Sequence, residues 1–358
     1  MSTQRSRVVV DCRWIGMGGI GRVTELLISG IRQRPDACEW VLWGHPRHAH
    51  LAGEAVEWVD EHSDPRRRFG QAGRTRIPSG DVTVFMCQTR PLAVRGPQVV
   101  VVYDTIQLDF APSRRSRFLR RIYLRRSAQA AHAVLTISNQ SRDDIVRSLG
   151  VDAHRIGMLR ICGLPRPEVP CVDPSRRGHL LYVGSLAAHK NVPFVIRAFG
   201  RTDFAARGGT LYLVGGDEQG AEALRAYPPF GNSGQVRIAG RVSDHDLEQA
   251  YAQADALVQA SLAEGFGLPA HEARLRGLPL CHSGRGAMSN ITGGGIWVFD
   301  PTDEESAARA MDTAIAAGQG DQGWARWRRA MRAGPGGGVA AIAEDVADAA
   351  RVAIAGAP

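Results

Sequence analysis

Apolar runs that look like strands alternate with helical patterns from one end of the chain to the other, and this alternation restricts the fold more than any other feature. It is typical of parallel sheets with crossover helices. In the first half, strands are predicted at residues 7–11, 40–43, 82–86, 99–103 and 133–137. In the second half, they are predicted at residues 179–183, 210–214, 236–239, 256–258, 278–281 and 296–298.

The two halves share one plan, and 358 residues are enough for two domains with their own cores. A Pro-rich stretch with little pattern, residues 165–175, is the predicted linker. We therefore predict an N-terminal domain at 1–168 and a C-terminal domain at 176–332. An Ala-rich helical pattern at about 338–355 follows a Gly-Pro-Gly-Gly-Gly break and is expected to pack back on the first domain.

Two facing α/β domains would place the carboxyl ends of their strands around one interdomain cleft, where open α/β sheets bind ligands. The net charge of +8 favours an anionic partner there, such as a nucleotide, a phosphorylated substrate or an acidic membrane surface. Lys190 is the only lysine among 44 basic residues. An Arg-rich chain that retains one lysine indicates a position that needs a compact ammonium group.

A glycine-rich turn follows the predicted strand at 256–258 and leads into a helix that we expect to begin at Pro269. Its free N–H groups and positive dipole end favour an anion. Glu264 and Glu272 lie beside this turn and in the first turns of the helix. Because two carboxylates would repel a diphosphate, we assign them to the hydroxyls of sugar rings.

The segment Glu264-Gly-Phe-Gly-Leu-Pro-Ala-His-Glu272-Ala resembles the signature of the retaining glycosyltransferases of family 4, the group 1 glycosyltransferases. That family has the GT-B fold of two facing Rossmann-like domains. Further segments resemble its landmarks in the same order: Gly18-Gly-Ile-Gly-Arg22, Tyr103-Asp-Thr105, Thr136 to Asp143, Leu181 to Asn191, Val214-Gly-Gly-Asp217 and Ala239 to Asp244.

The resemblance implies a donor site in the C-terminal domain and an acceptor site in the N-terminal domain. Lys190 would bind the donor diphosphate, Glu272 the ribose hydroxyls and Glu264 the transferred sugar. The backbone amides beside that sugar and its phosphate would be those of Gly265, Phe266, Gly267 and Leu268.

Other landmarks are carried over in the same way. Gly18 and Gly19 would let a loop of the first domain close over the diphosphate, and Arg241 and Val242 would lie near the base.

The sequence also departs from the family pattern. Ser185 stands where the family often has Arg, and His189 precedes the lysine where one subgroup has Arg, so His189 would add positive charge only when protonated. Tyr103-Asp104 stands where the family commonly has His-Asp. We expect Glu264, Tyr103 and Asp104 to be the catalytic residues, with the Tyr103 phenol in place of the imidazole.

For a transferase of this type the resemblance implies attack on the front face of the sugar, with no protein nucleophile, metal or cofactor beyond the donor. The only Asp-x-Asp sequence, Asp244-His-Asp246, is predicted to open a helix. We expect transfer of a hexose, mannose in the first place, from a GDP-sugar or secondly a UDP-sugar. The acceptor would be a glycan, a lipid-linked or a small-molecule hydroxyl.

Two alternatives remain open from the sequence. Gly16-Met-Gly18-Gly-Ile-Gly21 formally matches the dinucleotide fingerprint of an NAD-linked Rossmann oxidoreductase, although the strand at 40–43 lacks the acidic residue that would hold a ribose. The other alternative is a sugar-nucleotide-binding protein without turnover, because Tyr103 and Ser185 depart from the pattern.

Residues 113–126 combine seven arginines with five large apolar residues. Arg114–Arg126 would either dock on the sheet with its arginines in water or contact an anionic membrane surface. Nucleic acid is not an expected partner, since no aromatic stacking array accompanies the arginines. The apolar run at 8–10 is too short for a signal peptide or a membrane span. We therefore expect a cytoplasmic protein, peripheral at the inner face of the membrane.

Overall fold

The structure, a computed structural model, describes residues 5–62, 77–91, 94–161, 178–226, 235–320 and 340–357. These residues form two compact units. The first contains residues up to 161 together with 340–357, and the second contains residues 178–320. The linker predicted at residues 165–175 lies outside the described residues.

The first unit is built on a seven-stranded sheet in the order β3-β2-β1-β4-β5-β6-β7, and all its pairings are parallel. Its strands are β1 (Arg7–Asp11), β2 (Glu39–Gly44), β3 (Glu57–Asp60), β4 (Val82–Phe85), β5 (Gln98–Val101), β6 (Ala133–Thr136) and β7 (Ile156–Met158). Its helices are α1 (Gly18–Gln33), α2 (Ile106–Asp109), α3 (Arg114–Gln129), α4 (Asn139–Leu149) and α11 (Ala340–Ala355).

The second unit is built on a six-stranded parallel sheet in the order β10-β9-β8-β11-β12-β13. Its strands are β8 (His179–Val183), β9 (Thr210–Val214), β10 (Val236–Gly240), β11 (Ala254–Gln259), β12 (Leu280–His282) and β13 (Ile296–Val298). Its helices are α5 (Val192–Phe199), α6 (Asp203–Ala206), α7 (Glu218–Arg225), α8 (Asp244–Gln253), α9 (Leu268–Arg276) and α10 (Glu304–Gln319).

The C-terminal helix α11 packs in the first unit, against α1 and strands β4 to β7. Its buried side chains are mostly alanines at helical spacing, with Ile342 and Val346 among them. Small side chains let a helix lie close to a sheet, and this explains why so apolar a helix carries few large residues. The Arg160 guanidinium also binds the Asp345 carboxylate at 2.7 Å and anchors the helix to the end of β7.

All eleven strands predicted from the sequence are present, several with the predicted bounds. They were readable because strands of a parallel sheet are covered on both faces and form continuous apolar runs. Two further strands, β3 and β7, were not predicted. Both lie at an edge of the first sheet, and β3 has acidic residues at both ends. Among the described residues, no helix is both long and apolar enough to cross a membrane.

Candidate active site

The candidate site lies where the strand order of the second sheet reverses. Strands β8 and β11 are adjacent and parallel, with Leu181 opposite Leu257, although their segments are far apart in the chain. The loops that follow the two strands therefore leave the sheet side by side. Such a switch point is where open α/β sheets bind ligands.

The loop after β8 is held by a hydrogen bond from a side chain of that strand to the loop backbone. The Tyr182 hydroxyl donates a hydrogen bond to the Ser185 carbonyl oxygen at 2.6 Å, and the Ser185 side chain is exposed. A short turn, Ala188–Lys190, then leads into α5 through Asn191, whose φ of 56° makes it the single non-glycine residue with positive φ in the described ranges. This bend places Lys190 beyond the carboxyl end of β8.

An ion pair joins the two loops. The Lys190 ammonium nitrogen lies 2.6 Å from Oε2 of Glu264, and the two side chains are only 14% and 11% exposed. The Ser261 hydroxyl donates to the same oxygen at 3.0 Å. The Leu262 amide also donates to the His189 carbonyl oxygen at 2.7 Å. The structure thus brings together the lysine and the first glutamate that the sequence assigned to one site.

His189 does not add charge to this pair at neutral pH. Burial, helped by the neighbouring Lys190 ammonium, lowers the pKa of His189 below its usual value. The imidazole is therefore neutral near pH 7, and Lys190 carries the positive charge of this loop.

A third loop supports Glu264 from behind. The Ala287 amide donates to the Glu264 carbonyl oxygen at 2.9 Å, and the Ser283 hydroxyl donates to the Ser261 carbonyl oxygen at 2.6 Å. Gly286 has φ of 61°, and its Cα lies so close that an added Cβ would overlap the backbone of Glu264. The Glu264 backbone is thus packed between two loops.

Helix α9 begins directly after this loop. Gly267, at φ 81°, is its N-cap, and Pro269 lies in the first turn, one residue after the start at Leu268. The predicted start at Pro269 was therefore one residue late. Gly265 is buried, and the Phe266 ring stacks on the His271 ring with centroids 4.4 Å apart. Burial lowers the pKa of His271 to about 4, so the helix start carries no imidazolium near pH 7.

Glu272 lies in the middle of α9 and is buried, at 7% exposure. Its Oε2 accepts a hydrogen bond from the Tyr251 hydroxyl at 2.8 Å. Arg241 and Val242 follow β10, which lies two strands from β8. Two strand spacings correspond to about 10 Å between the Lys190 loop and the end of β10.

The remaining predicted residues lie in the first unit. Gly18 and Gly19 begin α1 directly after the β1 loop, and both are exposed. Tyr103 and Asp104 follow β5, two strands from β1. The Tyr103 side chain is buried, and its hydroxyl has no hydrogen-bond partner among the described residues. Asp104 accepts from the Ile106 amide at 3.0 Å and so helps to start α2.

Asp244-His-Asp246 opens α8, as predicted, and it acts there as a cap. The Asp246 amide donates to the Ser243 hydroxyl oxygen at 3.1 Å, and that hydroxyl donates to the Asp246 carboxylate at 2.7 Å. Within the described ranges, no group of three or more His, Cys, Asp or Glu side chains is arranged to hold a metal ion.

Sequence reasoning did not assign functional roles to Ser261, Tyr251 and Gly286. Ser261 was readable as the polar residue three positions before Glu264. Tyr251 and Gly286 carry no local signal, since each acts on a glutamate more than twenty residues away in the chain.

Two doubly wound parallel sheets, the second with a cation, an acid and a helix start at its switch point, define a protein of the GT-B fold. A solved structure of Anabaena HepE in complex with UDP and glucose has a TM-score of 0.71 to this chain, at 15% identity. The match covers 96% of this chain and 98% of that protein. The predicted fold class is confirmed.

Sequence comparison narrows this class. Residues 177–317 match the family described as glycosyl transferases group 1. O-antigen chain mannosyltransferase B of Escherichia coli is 29% identical over 210 residues, 55% of each chain. O-antigen chain mannosyltransferase RfbU of Salmonella typhimurium is 23% identical over 214 residues, 60% of each chain. The matches span little more than half the length of these curated relatives. Over residues 177–317 the chain is therefore similar to the group 1 glycosyltransferases.

Proposed function

We propose that the protein transfers a hexose from a nucleotide diphosphate sugar to a hydroxyl acceptor with retention of configuration. The observation that carries this proposal is the Lys190–Glu264 pair at the junction of β8 and β11, 2.6 Å apart and largely buried. A buried ammonium beside a helix start suits a diphosphate. A carboxylate in the same place suits sugar hydroxyls.

Each group has one task in this proposal. A donor diphosphate competes with Glu264 for the Lys190 ammonium, and the first amides of α9 add partial positive charge. Glu264, released from the lysine, accepts hydrogen bonds from the sugar. Glu272 binds the ribose, and the backbone at Arg241 and Val242 lies near the base.

In the reaction the bond from the anomeric carbon to the phosphate oxygen breaks, and a bond to the acceptor oxygen forms on the same face. The acceptor proton moves to the departing phosphate oxygen, so no protein nucleophile is required. Lys190 and the α9 amides stabilise the leaving diphosphate, and preorganised donors of this kind contribute about 3 kcal/mol each to transition-state stabilisation. The catalytic assignment of Tyr103 and Asp104 in the first unit stays a prediction.

Mannose is the first choice of sugar, with GDP before UDP as the nucleotide. Two curated relatives are named mannosyltransferases, which supports mannose, and their names point to an O-antigen chain as acceptor. The HepE structure contains UDP, which keeps UDP-sugars as the second choice. A glycan or lipid-linked hydroxyl is the proposed acceptor.

Donor hydrolysis tests this function. We expect purified protein to be stabilised by one member of a panel of GDP-, UDP- and dTDP-sugars in a thermal-shift assay. It should also release nucleoside diphosphate slowly from that donor without acceptor, and EDTA should leave the rate unchanged.

The control for this assay is Glu264→Ala. Release by the wild type no faster than by this variant would indicate a binding protein without turnover. Stabilisation by NAD and by none of the sugar nucleotides would instead favour the oxidoreductase alternative.

We also propose that the outward face of α3 contacts an anionic lipid surface. Phe118 and Leu119 are 63% and 56% exposed, and Ile122 lies one turn after Phe118 on the same side, opposite the buried Leu124. The arginines of the helix are Arg114, Arg115, Arg117, Arg120, Arg121, Arg125 and Arg126. In the described part of the chain, none of them forms an ion pair with a carboxylate. Exposed apolar residues between unneutralised arginines complement an anionic membrane.

Vesicle binding tests this contact. We expect wild-type protein to bind vesicles containing phosphatidylglycerol, with weaker binding at high salt, and not to bind pure phosphatidylcholine vesicles. Phe118→Ser with Leu119→Ser should weaken binding by about tenfold or more, since two exposed apolar side chains that would enter the lipid surface are lost. Val352→Ser is the matched control, because Val352 is 61% exposed on α11 of the same unit. Equal binding by the double variant and the control would contradict the proposal.

A further inference from the structure

A buried hydrogen bond joins the end of α8 to the middle of α9. The Tyr251 hydroxyl donates to Oε2 of Glu272 at 2.8 Å, and the two residues are 2% and 7% exposed. A carboxylate removed from water requires hydrogen-bond partners. The phenol therefore supplies part of what keeps Glu272 in place, and it fixes the orientation of that carboxyl group.

Arg276 holds both members of this pair. Its guanidinium lies 4.4 Å above the centre of the Tyr251 ring, and its Nη1 donates to the Glu272 carbonyl oxygen at 2.8 Å. Its Nε donates to the Glu248 carboxylate on α8 at 3.0 Å. The ring and the backbone on either side of the hydrogen bond are thus held by one cation. Loss of the hydroxyl alone would leave this packing in place.

The phenol keeps its proton at neutral pH and can therefore donate a hydrogen bond. Burial raises the pKa of Tyr251 well above its usual value, and the negative charge of Glu272 raises it further. The hydroxyl stays protonated and donates to Oε2 of Glu272. The carboxyl group is therefore held in one orientation before any ligand arrives.

We infer that Tyr251 is a positioning residue that fixes the Glu272 carboxylate for the hydroxyls of a ribose, and so sets the preference of the donor site for ribonucleotides over deoxyribonucleotides. This rests on the proposed function, which assigns Glu272 to the ribose. A carboxylate held in place discriminates strongly against a ligand that lacks the hydroxyl, because its lone pair is then left without a donor. A carboxylate that turns freely finds another partner and discriminates less.

The inference is tested by measuring nucleotide affinities with calorimetry. The probes are GDP and UDP with their 2′-deoxy and 3′-deoxy forms, and the proteins are the wild type, Tyr251→Phe and Tyr212→Phe. Tyr212 is a matched control on β9 of the same unit, with its ring against His179. For the better-bound nucleotide we expect the wild type to prefer the ribose form about tenfold or more over one deoxy form. Tyr251→Phe should reduce this ratio to less than about threefold by weakening the ribose form alone, and Tyr212→Phe should keep the wild-type ratio.

The outcomes separate the inference from the proposed function. If neither GDP nor UDP binds the wild type, the proposed function fails and the inference fails with it. If they bind and Tyr251→Phe keeps the wild-type ratio, or weakens both forms equally, the inference alone is overturned. Absence of any discrimination by the wild type also overturns it.

A rescue variant covers a Phe variant that does not fold. Replacement of Tyr251 by 4-aminophenylalanine keeps the ring and an N–H donor at the same position. It should retain the wild-type ratio, and loss of the ratio in this variant would overturn the inference.

Discussion

Lys190→Ala is expected to lower kcat/KM for the donor by about a hundredfold or more, the cost of losing one preorganised charge at a developing anion. The Lys190 ammonium nitrogen lies 2.6 Å from Oε2 of Glu264, and the lysine side chain is only 14% exposed. The measurement is steady-state release of nucleoside diphosphate, with donor affinity followed by thermal shift. Donor binding and turnover should fall together.

Lys190→Arg should recover only part of the activity, because a planar guanidinium fork does not fit where a compact ammonium lies between two loops. Full activity of the Arg variant would contradict the inference that this position needs a compact ammonium group. Arg207→Ala is the control, since Arg207 is an exposed cation of the same unit. It should retain wild-type activity.

The Ala variant should also be less stable. Removal of Lys190 leaves the Glu264 carboxylate, 11% exposed, with the Ser261 hydroxyl but no cation. Breaking a largely buried ion pair in this way costs about 3 kcal/mol of unfolding free energy. The double variant with Lys190→Ala and Glu264→Ala should be more stable than the Lys190→Ala variant. Denaturant unfolding of the wild type and these two variants measures the difference in unfolding free energy.

Gly286→Ala is also expected to lower the rate of nucleoside diphosphate release strongly, although Gly286 has no side chain that could take part in the reaction. Its φ is 61°, and a Cβ there would lie 2.8 Å from the Glu264 amide nitrogen and overlap the carbonyl oxygen. Backbone cannot turn away as a side chain can, so the Glu264 loop has to move. A displacement of about 1 Å in a reacting group costs about a hundredfold in rate.

Gly208→Ala separates this effect from the cost of the backbone conformation. Gly208 lies in the same unit, also in the left-handed region at φ 88°, and an added Cβ there meets no atom within 4 Å. Its alanine variant should lose about 1 to 2 kcal/mol of stability and keep its activity. If Gly286→Ala has the same activity as Gly208→Ala, the loop of Gly286 does not support Glu264.

Much of the fold was predictable because both sheets are parallel. The runs at 7–11, 179–183 and 210–214 agree with β1, β8 and β9, since strands covered on both faces have apolar centres. The edge strand β3, Glu57-Trp-Val-Asp60, was missed because it lacks this pattern. Its place in the sheet follows from pairing with β2, which no local run of residues reveals.

The proximity of Lys190 and Glu264 was also predictable, but the residues that support them were not. Lys190 and Glu264 were found from their residue types next to strand ends together with the family resemblance, and the structure places them in contact. Tyr251 and Gly286 act through packing and hydrogen bonds to residues far away in the chain. A tyrosine on a helix and a glycine in a turn have many ordinary roles, so neither stood out.

By itself the sequence determined that the chain alternates strands and helices, that each half builds an open parallel sheet, and which charged groups follow the strand ends. These properties depend on local hydrophobic patterns and residue chemistry. Only the tertiary structure decided that β8 and β11 are neighbours, which brings Lys190 to Glu264, and that Tyr251 orients Glu272. Such contacts depend on strand order and on the approach of two helices, and these are set by the packing of the whole unit.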